Sequence, residues 1–384
     1  MKEIYLDNAA TTRLLPEVLE AMRPYLEEEY GNPSAIYRSA ARSRAAVDRA
    51  REQVAALIGA KASEIYFTSG GTEADNWALI AASELMLKKR GSASLLVSAV
   101  EHHAVLHTAR YLEERGVKVH VLPVDAEGRV NPQDAERLIA EDTALISVMT
   151  ANNEIGTIEP VKEIAEIAHA RGVLMHTDAV QACGHLPLAD FAGTVDLLSA
   201  SAHKLHGPKG IGFLYIRSGV PLRSFLHGGA QERGRRAGTE NTAAIVGFGA
   251  AAALAARDMQ KRTEQTEQLR NYMIGKMQLL IPGCRLNGPL ERRLPGNMNF
   301  LLPGVDAEAL LIALDMRGIA ASAGSACAAG SLDPSHVLLA AGLTHEEAMC
   351  SIRLSISHET TKEELDTAAE VIAETAQRLC RTKG

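Results

Sequence analysis

The chain has 384 residues, 46% of them hydrophobic and 23% charged, with a formal net charge of −7. That length exceeds what one hydrophobic core fills, and the composition excludes a disordered chain. The acid excess excludes a protein whose task is to coat phosphate backbones, so no direct nucleic-acid binding is expected.

From the first residue, Met1, Lys2 and Glu3 lead through Ile4, Tyr5 and Leu6 to Asp7, which turns polar before an apolar region develops. No signal peptide is expected, nor any stretch long and apolar enough to span a bilayer. The next clear signal is residues 65–68, a β-rich run, followed by a helical pattern over 73–89. Strand patterns over 95–98, 117–122 and 144–149 follow, with a helix near 105–115 between the first two. Pro160 opens a helix to about 171, and residues 173–177, 197–201 and 211–216 complete seven strands. Strand–helix alternation of this kind predicts an α/β fold with a mostly parallel sheet covered on both faces. Residues 241–280 read as one long helix. Beyond it come a strand over 297–302, a helix over 306–317, a strand over 351–355 and a closing helix over 362–379. The expected division is a large α/β domain over 13–256 and a smaller α+β domain from 1–12 and 257–384.

Ligands of such sheets collect at the carboxyl ends of the strands. After Thr68 come Ser69, Gly70, Gly71, Thr72 and Glu73, where two glycines turn tightly into a helix start. That is a phosphate site or, more ordinarily, a capped helix. After Thr177 comes Asp178, a buried acid that needs a cation: a protonated pyridine nitrogen, or a side chain elsewhere in the protein. After Ser201 come Ala202, His203 and Lys204, which deliver a lysine into a Gly/Pro-rich turn. A partly desolvated lysine gives up its proton and forms a Schiff base. Acid, lysine and glycine turn together suit pyridoxal 5'-phosphate (PLP) better than any one of them does alone.

The five cysteines are Cys183, Cys284, Cys327, Cys350 and Cys380, an odd and scattered set without a Cys-x-x-Cys pair. Neither a disulfide framework nor a metal site is expected, and a reducing cytoplasm fits. Cys327 sits in a run of small residues from Ser322 to Ser331 with little to bury. The run reads as a mobile loop with an exposed thiol, either a nucleophile or a cysteine that the loop merely tolerates.

With these residues in place, the sequence resembles the NifS/IscS-type cysteine desulfurases, of the aspartate-aminotransferase-like fold (fold type I) of PLP enzymes. The likeness runs from Tyr5 to about His358. It rests on the blocks that begin at Tyr5-Leu6-Asp7-Asn8, Gly31-Asn32-Pro33-Ser34, Thr68-Ser69-Gly70-Gly71-Thr72 and Glu101-His102-His103. It continues through Asn152-Asn153-Glu154, His176-Thr177-Asp178, Ser201-Ala202-His203-Lys204, Gln231-Glu232-Arg233-Gly234 and Gly324-Ser325-Ala326-Cys327.

The resemblance implies a seven-stranded sheet flanked by helices, and a small domain that carries the cysteine loop at about 322–333. It implies that Lys204 holds PLP as a Schiff base and moves protons at the substrate, with His102 stacked on the ring as an acid. Asp178 would pair with the pyridinium, Gln181 would bond the ring oxygen, and Asn153 would lie close by. Gly71, Thr72, Ser201 and His203 would hold the phosphate, joined by Thr239 from the partner of a homodimer. Arg353, helped by Asn32, would clamp the substrate carboxylate, a bidentate task that suits a planar guanidinium. Cys327 would take the sulfur of L-cysteine as a persulfide and pass it to an acceptor protein for iron–sulfur assembly or for tRNA or cofactor thiolation. A selenocysteine lyase or another aminotransferase of this fold would need no loop thiol, and a scaffold without turnover would need none of these groups. His103 is read as a surface histidine, and Cys183 and Cys350 as structural. The chain departs from the family pattern at Tyr37, Ala230 and Ala323, and it stops soon after its last helix, without the longer tail of housekeeping members.

Overall fold

The computed structural model describes residues 3–323 and 333–381. Seven strands form the main sheet: β1 (Ile65–Thr68), β2 (Ser94–Ser98), β3 (Lys118–Leu122), β4 (Thr143–Ser147), β5 (Leu174–Asp178), β6 (Leu197–Ser201) and β7 (Gly212–Ile216). Their spatial order is β1-β7-β6-β5-β4-β2-β3. Strands β2 to β6 pair in parallel, while β7 runs antiparallel between β6 and β1. Strand side chains alternate between faces, so consecutive apolar residues feed two cores. Leu95 and Leu197 join one with Ala74, Trp77 and Ala78; Leu96 and Leu198 join the other with Val47, Ala50 and Phe248. The sheet is therefore dry on both sides.

Helix α3 (Gly71–Arg90) covers the first face and ends in Lys88, Lys89 and Arg90, followed by Gly91 at φ 78°. Cations at a helix C-terminus and a left-handed glycine after it are the expected terminators. Helix α4 (His103–Glu113) follows β2. Two helices that strand–helix alternation did not announce, α1 (Pro16–Glu27) and α2 (Arg38–Leu57), precede the first sheet strand. The buried stripe Val47, Ala50, Val54 and Leu57 on α2 has helical spacing and seats it on the second core.

Helix α5 (Thr242–Leu280) corrects one expectation: by length and composition it could cross a membrane. Half of its apolar window is buried, with Ala244, Ile245, Phe248 and Ala251 in the core beside α2, which accounts for its apolar character. Its far end supplies Met273 and Met277 to a separate core with Leu6, Phe300, Leu310, Ile352 and Leu365. That core backs a three-stranded antiparallel sheet in which β8 (Asn297–Leu301) lies between β9 (Ser351–Ser355) and the short strand Arg285–Leu286. The final helix, α6 (Lys362–Arg381), closes it. Between the cores runs the N-terminal segment. Ile4 and Tyr5 pair with Ile319 and Ala320, and Ala9 N–H donates to Ser355 Oγ at 2.8 Å.

Candidate active site

At the carboxyl ends of β1, β5 and β6 lies a cavity of about 300 Å³. Ten of the residues singled out in the sequence line it: Gly71, Thr72, His102, Asn153, Asp178, Gln181, Ser201, His203, Lys204 and Arg353. Parallel strands that end together bring these residues together although they are far apart in the chain.

Lys204 sits in a short turn just after β6, where its Nζ donates to the carbonyls of Ala9 and Ala10, both at 2.7 Å. The turn is stitched down from several sides. His185 Nε2 donates to the Lys204 carbonyl at 2.8 Å, and Thr12 N–H donates to the His203 carbonyl at 2.9 Å. Two residues on, His206 adopts φ 63°, and its N–H donates to Thr12 Oγ1 at 2.8 Å. A non-glycine residue at positive φ is costly and needs such support.

Asp178 ends β5 inside the sheet, backbone-paired with Ser199. Its Oδ1 accepts the Val180 N–H at 2.8 Å. Burial pushes its carboxyl up to about 6, against the Val180 hydrogen bond and the charge of Lys204. Gln181, one turn on, donates from Nε2 to the Ala9 carbonyl at 2.9 Å. At the start of α3, Gly71 and Thr72 face Ser201, and a Cβ on Gly71 would strike Val180 Cγ2 at 2.6 Å. Glycine there allows strand turn and helix start to close on each other. Free N–H groups at the first turn of a 20-residue helix suit a phosphate, with the Ser201 hydroxyl and His203 beside them.

His102 is the N-cap of α4, and its Nδ1 accepts the Ala104 N–H at 3.1 Å. The proton of the neutral ring is thereby placed on Nε2. Burial, and then the charge of Lys204, hold the imidazole down at about 4. It is neutral near pH 7. On the opposite wall Arg353, in the middle of β9, is buried; its Nη2 meets Asp7 Oδ1 at 2.8 Å and its Nη1 donates to the Asn153 carbonyl at 3.1 Å. Ser322 pairs its backbone with Arg353. Thus the last described stretch before Cys327 is tied to the cavity wall, while Cys327 itself lies outside the described residues.

Two expectations change, those for Asn32 and His103. Asn32 is exposed and does not line the cavity; its Oδ1 accepts the Ser34 N–H at 3.0 Å, forming a local turn. Thr239, expected to serve a partner's site and not its own, is exposed and is not among the lining residues of its own chain. His103 is no surface histidine: it lines the cavity mouth and lies 4.8 Å, ring to ring, from both His107 and His336. The sequence reading also passed over Asp75, Glu154, His336 and the carbonyls of Ala9 and Ala10. The spacing of His103 and His107, four apart on one helix, was a visible hint; His336, 233 residues further along than His103, gave none.

The donor set fits PLP: an amine for its aldehyde, a buried carboxylate for its pyridinium, a flat imidazole for its ring and a helix terminus for its phosphate. Fold and site together define a PLP-dependent enzyme of fold type I. Residues 4–367 match the class-V aminotransferases, and the chain belongs to that family. A cysteine desulfurase IscS of Clostridium botulinum is 50% identical over 373 residues, 97% of this chain and 94% of the relative. A solved NifS-like protein superposes with a TM-score of 0.91 at 39% identity, covering 97% of this chain and 98% of its own. A structure described as SspA in complex with cysteine gives 0.82 at 34% identity, covering 93% and 99%.

Proposed function

We propose that this enzyme is a cysteine desulfurase that converts L-cysteine to L-alanine and keeps the sulfur as a persulfide on Cys327. The carrying observation is that Lys204, Asp178, His102 and Arg353 converge on one cavity, to whose wall the segment leading to Cys327 is tied. The close relatives that carry the name cysteine desulfurase, and the similar structure that holds cysteine, support the same reading.

PLP, when bound, withdraws electrons from the substrate carbon skeleton and makes its α-proton and β-sulfur labile. Arg353, oriented from behind by Asp7 and the Asn153 carbonyl, takes the substrate carboxylate and fixes its direction. The Lys204 amine carries the proton at the α-carbon from the cavity floor. His102, neutral and with its proton on Nε2, offers a donor over the same space. Cys327 lies five residues beyond Ser322, a tether that spans about 18 Å at full stretch. Its thiolate forms a bond to the substrate sulfur as the carbon–sulfur bond breaks. The bonding electrons leave with carbon, which takes up a proton, so alanine and a persulfide form with no external oxidant.

A homodimer follows from the same reading, with Thr239 of one protomer completing the phosphate site of its partner, and the sulfur then moves to an iron–sulfur scaffold or a tRNA-thiolation enzyme. Cys183, Cys284 and Cys380 are free thiols, in keeping with the cytoplasm. The test is Cys327→Ser with L-cysteine and a reductant. Sulfide release should fall by about 10²-fold or more while bound PLP stays. Undiminished release overturns the proposal.

A further inference from the structure

Asp75 takes no part in the chemistry above, yet it lines the same cavity as Asp178. It stands three residues after Thr72 on α3, so the two share a helix face. Its side chain is 1% exposed, and its Oδ1 has no hydrogen-bond partner. The nearest basic group is His176 Nε2 at 3.6 Å, but that ring is already engaged: Nδ1 with Ser147 Oγ at 2.8 Å and Nε2 with Ser199 Oγ at 3.0 Å. Burial holds His176 down at about 3, so it is no cation. The charged groups that act on Asp75 are Asp178 from β5 and Glu101 from the end of β2, both acids, relieved by the Ser199 hydroxyl of β6. Glu101 is itself satisfied on one oxygen by Ser98 Oγ at 2.6 Å and Met149 N–H at 2.7 Å.

Two carboxylates in one dry pocket do not both ionise. Of the pair, Asp178 has the backbone N–H of Val180 and faces Lys204, whereas Asp75 Oδ1 has no donor. We propose that Asp75 is a positioning residue that holds the one proton of an Asp75–Asp178 pair, leaving Asp178 as the single anion beneath the pyridinium nitrogen. Burial and the neighbouring Asp178 both push the Asp75 carboxyl well up, as this requires. The inference rests on the cofactor reading above, but its readouts do not depend on sulfur chemistry.

Infrared spectra of the holoenzyme in mildly alkaline buffer test it. One carbonyl stretch of a protonated carboxylic acid should appear in wild type and be missing from Asp75→Asn, while any bands of the buried acids Glu101 and Glu159, both also pushed up, stay in place. In Asp178→Asn the same band should titrate about one pH unit lower or more, because the neighbouring charge is gone. A residue that merely fills space would leave that midpoint where it is. PLP release should be about tenfold faster in Asp75→Ala and return to within about threefold of wild type in Asp75→Asn, which mimics the neutral acid. Persistence of the band in Asp75→Asn, an unmoved midpoint in Asp178→Asn, or Asp75→Asn that releases PLP as fast as Asp75→Ala overturns the proposal. Should the Asp75 variants fail to fold, the Asp178→Asn titration decides it alone. A wild-type enzyme that yields no sulfide from L-cysteine, with these results intact, would sink the desulfurase reading and leave this one standing.

Discussion

The floor and the rim of the cavity are built differently. The floor is sheet: Asp178 and Ser201 end parallel strands, Lys204 follows one of them, and each is fixed by hydrogen bonds within a dry core. The rim is assembled from distant pieces: Arg353 from β9, backed by Asp7 of the N-terminal segment, and His336 from a short helix. A rigid floor positions a cofactor, and a rim of separate parts can admit and select what reacts with it.

Variants can break this contrast. Lys204→Ala should cost the most, lowering sulfide production about 10³-fold or more, measured under saturating cysteine. Asp178→Ala, also on the floor, should weaken PLP retention about 30-fold or more, read by equilibrium dialysis, since a charge-assisted bond of about 2 kcal/mol is lost. At the rim, Arg353→Lys should raise KM about tenfold or more while PLP stays bound. An equal loss of PLP in that variant would show that floor and rim are not separable.

The smallest effect on turnover is expected behind the floor, at Glu159. Its Oε2 accepts the Val130 N–H at 2.9 Å, yet burial pushes its carboxyl from 4.5 up to about 8. The folded chain therefore binds this proton more tightly than the unfolded one. The associated stability is full below 4.5 and is lost as pH rises through about 8. Glu159→Gln should leave kcat/KM within about twofold and flatten the fall of the apoprotein's Tm over that window, checked by thermal melts at several pH values.

The floor was legible in the sequence because strand ends carry side-chain signals: Asp178 after an apolar run, Lys204 before glycine and proline, Gly70 and Gly71 before a helix. What supports those side chains was less so, for physical reasons. The carbonyls of Ala9 and Ala10, which hold Lys204, are backbone atoms that any residue supplies. Asp75 looks like one more polar residue on α3 until the sheet buries it beside Asp178. Helices α1 and α2 escaped notice because the strand–helix alternation starts only after them. Asn32 and Thr239 are exposed and stand apart from the cavity of their own chain, so nothing local marks what they do.

The N-terminal segment has a consequence for how the enzyme is made. Residues near the start, Ala9 and Ala10 beneath Lys204 and Asp7 against Arg353, meet partners as far as 346 positions downstream. A ribosome releases Asp7 346 codons before Arg353. The pocket cannot close until both partners have emerged, so vitamin capture waits for the later one.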